Sequence, residues 1–226
     1  MQVKKFSIID LFRYKSLRVM TILLIILDCV FYLQYLAPTL MLDQFDFNIF
    51  INGGAIESAQ IFVGFIGYFT IGKMPRRIYG VVSFGIIAAC SIALIFIWDQ
   101  DNTENTELSS NIIVLIFIFF IELTVSNAFN FYAVYLNELY PTQIRIVGIG
   151  FIKVFGSITA MVSSQIINAC INSGFKIMLL FALLAIISMI IYYLLPETKG
   201  KRPPEMIEEL IYNTTESSYQ KIKGSV

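Results

Sequence analysis

The sequence ELYPTQIRIVGIG, from Glu138 to Gly150, is a short polar segment between two long apolar runs. Within it a glutamate and an arginine, Glu138 and Arg145, flank Pro141. Proline lacks a backbone N–H and disfavours helical geometry in the residue before it, so it separates the two runs into two helices. The segment therefore predicts a tight connection between two apolar helices.

The composition around this segment indicates that such helices are membrane spans. Of the 226 residues, 57% are hydrophobic and 14% are charged, whereas soluble domains carry about 25% charged residues. A bilayer core of about 30 Å requires about 20 apolar residues of helix, and the apolar blocks lack the alternation of a membrane barrel. We therefore predict an all-α membrane protein with six transmembrane helices: Val19 to Leu42, Asn48 to Ile71, Ile78 to Trp98, Asn111 to Leu136, Ile146 to Cys170 and Gly174 to Leu195.

Lysine and arginine are concentrated in the segments on one side of these predicted spans. Only Lys153 and Lys176 among the 16 basic residues lie elsewhere, and the positive-inside rule then places both termini in the cytoplasm. Asp28 interrupts the first span, which is also longer than the apolar part of a signal peptide, so we expect a retained helix. The predicted domains are a cytoplasmic N-terminal segment (1–18), a six-helix bundle (19–195) and a cytoplasmic tail (196–226).

Ionisable and amide side chains inside the spans are the candidates for a solute site, because such groups normally face a cavity or a partner. Asp28 and Glu122 lie near mid-depth and predict a lining role or a salt bridge. Lys153 has a second interpretation, snorkelling to the cytoplasmic surface, and Glu57 and Gln60 have one as interhelical hydrogen bonds. The predicted lining set is Asp28, Tyr32, Glu57, Gln60, Glu122, Asn130 and Lys153.

Enzyme and nucleic-acid functions find little support in the sequence. There is no histidine, the commonest general base and metal ligand. Cys29, Cys90 and Cys170 fall inside spans and offer neither a disulfide framework nor a metal set. The basic residues are divided among several loops, so they predict contact with lipid headgroups and no nucleic-acid surface. We expect no enzymatic activity, no cofactor and no metal.

Four segments carry a resemblance to a known family. NELYPTQIRIVGIG resembles the cytoplasmic loop between helices ten and eleven of major facilitator superfamily transporters, in particular the organic cation/anion transporter and sugar porter branches. LLPETKGK (194–201) resembles the motif after their last helix. SIIDLFRYKSLR (7–18) and GKRPPEMIEEL (200–210) are similar to the segment before helix seven and to the helical tail. The colinear match implies the C-terminal six-helix half of a twelve-helix carrier, built from two inverted three-helix repeats.

This resemblance implies how the chain works. The solute site lies near the bilayer midplane, between this bundle and a second six-helix half, which is the N-terminal half, another copy of the chain or a different subunit. On composition alone the polar loops are solvated turns, whereas the resemblance implies a cytoplasmic charge network that stabilises one conformation. To that network we assign Arg76, Arg77, Glu138, Arg145, Glu197 and Lys199.

Two departures from the family leave a second hypothesis open. The loop GKMPRR (72–77) stands where the family has D-R-x-G-R-R, so Gly72 replaces an acid whose charge pair cannot form. Ser157 stands where organic ion members are often charged. The first hypothesis is transport of a small solute, organic ion or sugar-like, by alternating access. The alternative is a structural membrane subunit derived from a transporter, without transport activity.

Overall fold

The computed structural model describes residues 8–40, 49–97, 108–173, 176–200 and 204. The acidic loop residues Asp43, Asp46 and those between 98 and 107, and most of the tail, lie outside this part of the chain. Within it the chain is all-α, as predicted. Its helices are α1 (Ile8–Arg13), α2 (Lys15–Leu40), α3 (Ile49–Thr70), α4 (Arg76–Ile97), α5 (Leu108–Leu139), α6 (Arg145–Asn172) and α7 (Ile177–Leu194).

Five of these helices are long and apolar enough to cross a membrane: α2, α4, α5, α6 and α7. The chain is therefore a multi-pass integral membrane protein. Helix α3 has 22 residues, which gives it a length of about 33 Å at 1.5 Å per residue, but it is not among those five. The sixth predicted crossing therefore depends on α3 alone.

Four helices, α2, α4, α5 and α6, extend beyond the apolar blocks from which they were predicted, whereas α3 and α7 lie within theirs. Helix α2 begins at Lys15, before the predicted Val19, and α5 continues past Leu136 to Leu139. Backbone hydrogen bonds do not require apolar side chains, so a helix continues into the polar layer until proline or glycine stops it. As a consequence Glu138 lies in the last turn of α5 and Arg145 is the first residue of α6.

A few pairs of helices make most of the contacts in the bundle. Helix α4 packs mainly on α7 and α5, α2 packs on α6, and α3 packs on α5. Aromatic rings fill the centre: the centroid of Phe31 lies 5.0 Å from that of Tyr132 and 5.1 Å from that of Phe84, and Phe84 lies 5.8 Å from Tyr192. These buried rings tie α2, α4, α5 and α7 together.

Two glycines allow close approach between helices. A Cβ atom at Gly80 of α4 would overlap the ring of Tyr192 on α7, and one at Gly156 of α6 would overlap the Asp28 carboxylate and the Tyr32 ring on α2. Both glycines are buried. The contacts of α4 with α7 and of α2 with α6 therefore depend on a missing side chain, as in many membrane helix pairs.

Candidate functional site

One cluster of charged groups lies where α4 begins and α5 ends. The guanidinium of Arg76 donates to Glu138, with Nη2 2.9 Å from Oε1 and Nε 3.2 Å from each carboxylate oxygen. The Arg76 side chain is 11% exposed and that of Glu138 is 24% exposed. A forked arginine–carboxylate contact is geometrically specific and stronger than a contact between single atoms. It fixes the start of α4 to the end of α5.

The same cluster includes the segment that follows α7. The Glu197 carboxylate accepts hydrogen bonds from the backbone N–H groups of Arg76, at 2.9 Å, and Arg77, at 3.0 Å. The first N–H groups of a helix lack partners within it, and the helix dipole favours an anion there. Thr198 Oγ1 also donates to Glu138 Oε2 at 2.5 Å. Three helix ends are thus joined through two carboxylates.

The remaining residues of the predicted network lie around this cluster. The Arg77 guanidinium lies 4.4 Å from the centroid of the Tyr193 ring, and Lys199 Nζ donates to the carbonyl of Lys73. Arg76 Nη1 donates to the carbonyl of Ile71. The loop 72–77 has Gly72 in place of the family's aspartate. It is held instead by hydrogen bonds from Arg76 and Lys199 to backbone carbonyls and by the Glu197 carboxylate.

Arg145 is placed apart from the other members. Its Nε donates to the carbonyl of Tyr140 at 3.3 Å, and its buried Nη2 has no hydrogen-bond partner among the described residues. Glu138 pairs with Arg76 because α5 carries it to the α4 side of the bundle. The Tyr140 hydroxyl lies 2.8 Å from Thr21 Oγ1 and its ring packs on Gly148, so the residue whose carbonyl binds Arg145 is itself in contact with α2.

A second polar contact crosses between α2 and α6 within the apolar layer. Lys153 Nζ donates to Asp28 Oδ1 at 2.6 Å, and the Asp28 side chain is fully buried while that of Lys153 is 31% exposed. Lys153 thus points inward to a partner on α2. A paired charge is far less costly in the membrane than a single one.

Aromatic rings surround the Lys153 ammonium. Its Nζ lies 4.7 Å from the centroid of the Phe129 ring and 5.4 Å from those of Tyr32 and Tyr132. The electron-rich faces of these rings stabilise a cation. Lys153 is therefore held by one carboxylate and three rings, and its exposed part faces the surface of the bundle.

A third polar cluster joins α3 to α5. Gln60 Nε2 lies 3.0 Å from Glu122 Oε1, 2.9 Å from Ser126 Oγ and 3.4 Å from the Tyr35 hydroxyl. Ser126 Oγ also donates to Glu122 Oε1 at 2.9 Å. Glu122 is buried, and Gln60 is half-buried. Gln60 makes the interhelical hydrogen bonds that were one of its two interpretations.

The other two predicted lining residues are peripheral to these clusters. Glu57 is exposed, and its carboxylate lies 3.5 Å from Thr39 Oγ1. Asn130 is also exposed. The glycines beside Gln60 do not create a close crossing, since a Cβ at Gly64 would meet nothing within 4 Å and one at Gly67 would make only ordinary contacts.

Several residues of these clusters were not among the predicted site residues, and Phe129, Tyr132 and Thr198 are examples. Phe129 and Tyr132 flank Lys153, yet in a chain with 20 Phe and 12 Tyr nothing in the sequence distinguishes them. Thr198 lies inside the PETKG-like motif beside two predicted residues, so the motif itself was an available signal. Among the described residues there is no group of three His, Cys, Asp or Glu side chains that could hold a metal ion.

Comparison with known proteins agrees with this architecture. Residues 2–210 match the family described as Sugar (and other) transporter. Solute carrier family 22 member 15-like from Xenopus tropicalis is 28% identical over 213 residues, which cover 90% of this chain and 41% of that protein. Organic anion transporter 3 from Oryctolagus cuniculus is 24% identical over 206 residues, covering 91% of this chain and 36% of that protein.

Organic cation/carnitine transporter 2 from Rattus norvegicus is also similar, with 24% identity over 204 residues that cover 90% of this chain and 35% of that protein. The chain thus spans 35 to 41% of the length of these relatives. The family match, by contrast, extends over nearly the whole chain. The chain belongs to the Sugar (and other) transporter family, within the major facilitator superfamily.

Proposed function

We propose that this chain is one six-helix half of a carrier that moves a small organic solute across a membrane by alternating access. The observation that carries the proposal is the charge cluster of Arg76, Glu138 and Glu197, which joins the ends of α4, α5 and α7. Ion pairs and helix caps of this kind stabilise one arrangement of packed helices and can re-form in another. A carrier requires such a two-state element.

The helix contacts support a bundle made of two inverted three-helix repeats. If α2, α3 and α4 correspond to α5, α6 and α7, the contact of α2 with α6 corresponds to that of α5 with α3. The contact of α4 with α7 corresponds to itself. These are among the dominant contacts of the bundle. Carriers of this superfamily place their solute site between two such bundles.

The exposed faces of α3 and α6 support the proposal that a second six-helix bundle packs against this one. In the apolar part of α6, 22% of the residues are buried, against 50% in α2. The half-exposed Lys153 and the exposed Glu57 lie on these two helices. A charged group at the edge of a membrane bundle normally faces a partner or a water-filled cavity. The second half therefore covers this side.

The polar groups of that side form the proposed solute wall. Asp28, Tyr32 and Lys153 form one part of it, Gln60 and Glu122 a second part, and Glu57 and Asn130 its exposed margin. Because Asp28 neutralises Lys153, the remaining ionisable groups of the wall are acids. The relatives are named for organic anions and for organic cations with carnitine, and we assign the solute to small organic molecules.

Uptake into vesicles tests the proposal. We would reconstitute the chain alone and together with the N-terminal six helices of the Xenopus tropicalis relative, and measure uptake of a radiolabelled organic cation, organic anion and hexose. At least one of these is expected to enter above the level of empty vesicles. Glu138→Gln should lower that uptake about tenfold, the equivalent of about 1.4 kcal/mol, because it removes the charge that holds Arg76.

Asn137→Ala is the matched control, since Asn137 is exposed on the same turn and bonds only to the carbonyl of Ala133 among the described residues. Its uptake should equal that of the wild type. A correctly inserted protein that forms a two-bundle complex yet moves none of the three solutes would contradict transport. That result would favour a structural subunit, the alternative suggested by Gly72.

A further inference from the structure

Glu122 is a carboxyl group without a cation near the middle of the bundle. It is 3% exposed, and the salt bridges of the described residues are formed by other pairs, Arg76 with Glu138 and Lys153 with Asp28. An ionised carboxylate in a low-dielectric interior is costly unless a cation or several donors compensate it. Its surroundings therefore favour the neutral, proton-bound form.

The two oxygens of Glu122 differ in their environment. Oε1 accepts hydrogen bonds from Gln60 Nε2 at 3.0 Å and Ser126 Oγ at 2.9 Å. Oε2 is buried and has no hydrogen-bond partner in the described part of the chain. A proton on Oε2 leaves Oε1 as a carbonyl oxygen that keeps both of its donors. The site thus holds one proton without rearrangement.

From this geometry we propose that Glu122 binds the proton that is coupled to solute movement. The coupling rests on the proposed function, whereas the proton site itself does not. While α3 is packed on α5, the carboxyl is buried and neutral. When α3 moves away, Gln60 leaves and water reaches the carboxyl, so the Oε2–H bond breaks and the proton passes to water as the carboxylate forms.

The titratable groups around Glu122 come from four neighbouring helices. Glu57 lies on α3, one turn before Gln60, and the Tyr35 hydroxyl on α2 contacts Gln60. On α4, Cys90 is the titratable side chain away from the helix start. The described cation in the apolar part of α6 is Lys153, which is held by Asp28. The cation in the apolar part of α6 is thus already paired with another acid.

The hydrogen-bond donors in this cluster favour the binding of a proton over that of a metal cation. Hard cations such as Ca²⁺ and Mg²⁺ require about six oxygen ligands. Here Gln60 directs its amide NH₂ group toward the Glu122, Ser126 and Tyr35 oxygens. Those hydrogen atoms would face a bound metal ion and repel it. A single proton needs only Oε2.

Infrared spectroscopy of the full chain in lipid nanodiscs tests the site without any solute. The probe is the proton itself, titrated between neutral and alkaline pH, and the signal is the carbonyl stretch of a protonated carboxyl. We expect a band near neutral pH that disappears at alkaline pH and is absent in Glu122→Gln. Ser126→Ala should shift its frequency, because it removes one donor to Oε1.

Asp28→Asn and Glu57→Gln are the controls for the assignment of the band, since one removes the other buried carboxyl and the other the neighbouring exposed one. Both should retain it. A missing band in the wild type, or a band that persists in Glu122→Gln, would overturn the proton site. If Glu122→Gln does not fold, an unchanged band frequency in Ser126→Ala overturns it instead.

The coupling is tested in vesicles that take up one of the three radiolabelled solutes. A gradient of one pH unit should change accumulation by up to about tenfold in the wild type and leave Glu122→Gln unaffected. A pH response that is equal in both proteins would refute the coupling. Because the infrared band is measured without solute, a band without any transport would refute only the proposed function.

Discussion

Asp28 and Lys153 form an ion pair with unequal access to the surface. Asp28 is fully buried, whereas the Lys153 side chain is 31% exposed. Lys153→Met leaves a buried carboxylate without its cation and should lower the free energy of unfolding by about 3 to 5 kcal/mol. Asp28→Asn leaves an ammonium that still contacts three rings and can extend toward the surface, so its loss should be smaller, about 1 to 3 kcal/mol.

Equilibrium unfolding in mixed micelles measures both losses, and the double variant closes a thermodynamic cycle. It should be more stable than Lys153→Met, because both charges are gone. Additive losses in the double variant would mean that the pair is not coupled. Equal losses for the two single variants would contradict the unequal access of the two groups to the surface. Neither outcome depends on transport.

The chemistry of single residues was partly readable from the sequence. Depth in an apolar run marks Asp28, Glu122 and Lys153 as groups that need partners, because a lone charge there is costly. The run cannot reveal which partner each one finds. Asp28 and Lys153 are 125 positions apart, and their pairing follows from how α2 crosses α6.

The crossing of α2 and α6 depends on Gly156. Because a Cβ there would overlap the Asp28 carboxylate and the Tyr32 ring, Gly156→Ala should lower the free energy of unfolding by about 1 to 3 kcal/mol. Gly150→Ala on the same helix is the matched control, since its Cβ would meet nothing within 4 Å. That variant should be neutral or gain up to about 1 kcal/mol, because alanine favours helix more than glycine does.

The two alanine variants are compared by the same unfolding measurement as the ion pair. A Gly156→Ala protein as stable as Gly150→Ala would show that α2 and α6 separate without cost. The sequence contains both glycines in similar apolar surroundings. Only the packing distinguishes the one that carries a contact from the one that does not.

The helices themselves were predictable because apolar length and proline position are local properties. Pro141 ends α5 and separates it from α6, as expected from its missing N–H. The cap of α4 was not predictable in this way. Glu197 lies 121 positions from Arg76, so its role as a helix cap exists only after α7 has returned to the start of α4.

At the level of the whole chain, the family was predicted correctly from a few motifs, and the all-helical, multi-pass membrane character was predicted correctly from composition. The pairing inside the charge cluster was less accessible. Glu138 and Arg145 are close in sequence, yet Glu138 pairs with Arg76 and Arg145 with the loop carbonyl of Tyr140. Closeness in sequence is a weak guide to which charges pair here, because the end of α5 and the start of α6 contact different neighbours.

The number of crossings depends on α3. Helix α3 runs beside α5, since Gln60 contacts Glu122 and Gly67 lies next to Asn127 further along both helices. Two helices aligned over this distance traverse the same layer, so α3 should cross as α5 does. We therefore expect six crossings, with the connections α3–α4 and α5–α6 and both termini on the cytoplasmic side.

Single cysteines in a background without Cys29, Cys90 and Cys170 measure this arrangement in sealed vesicles of known orientation. A membrane-impermeant thiol reagent should label Gly72→Cys, Gln143→Cys and Ser218→Cys from the cytoplasmic side only, and Asp43→Cys and Glu104→Cys from the opposite side only. Gly72 suits this test because it is exposed and has open space for a side chain. Labelling of Asp43→Cys and Gly72→Cys from the same side would show that α3 does not cross, and five spans would then place the two termini on opposite sides.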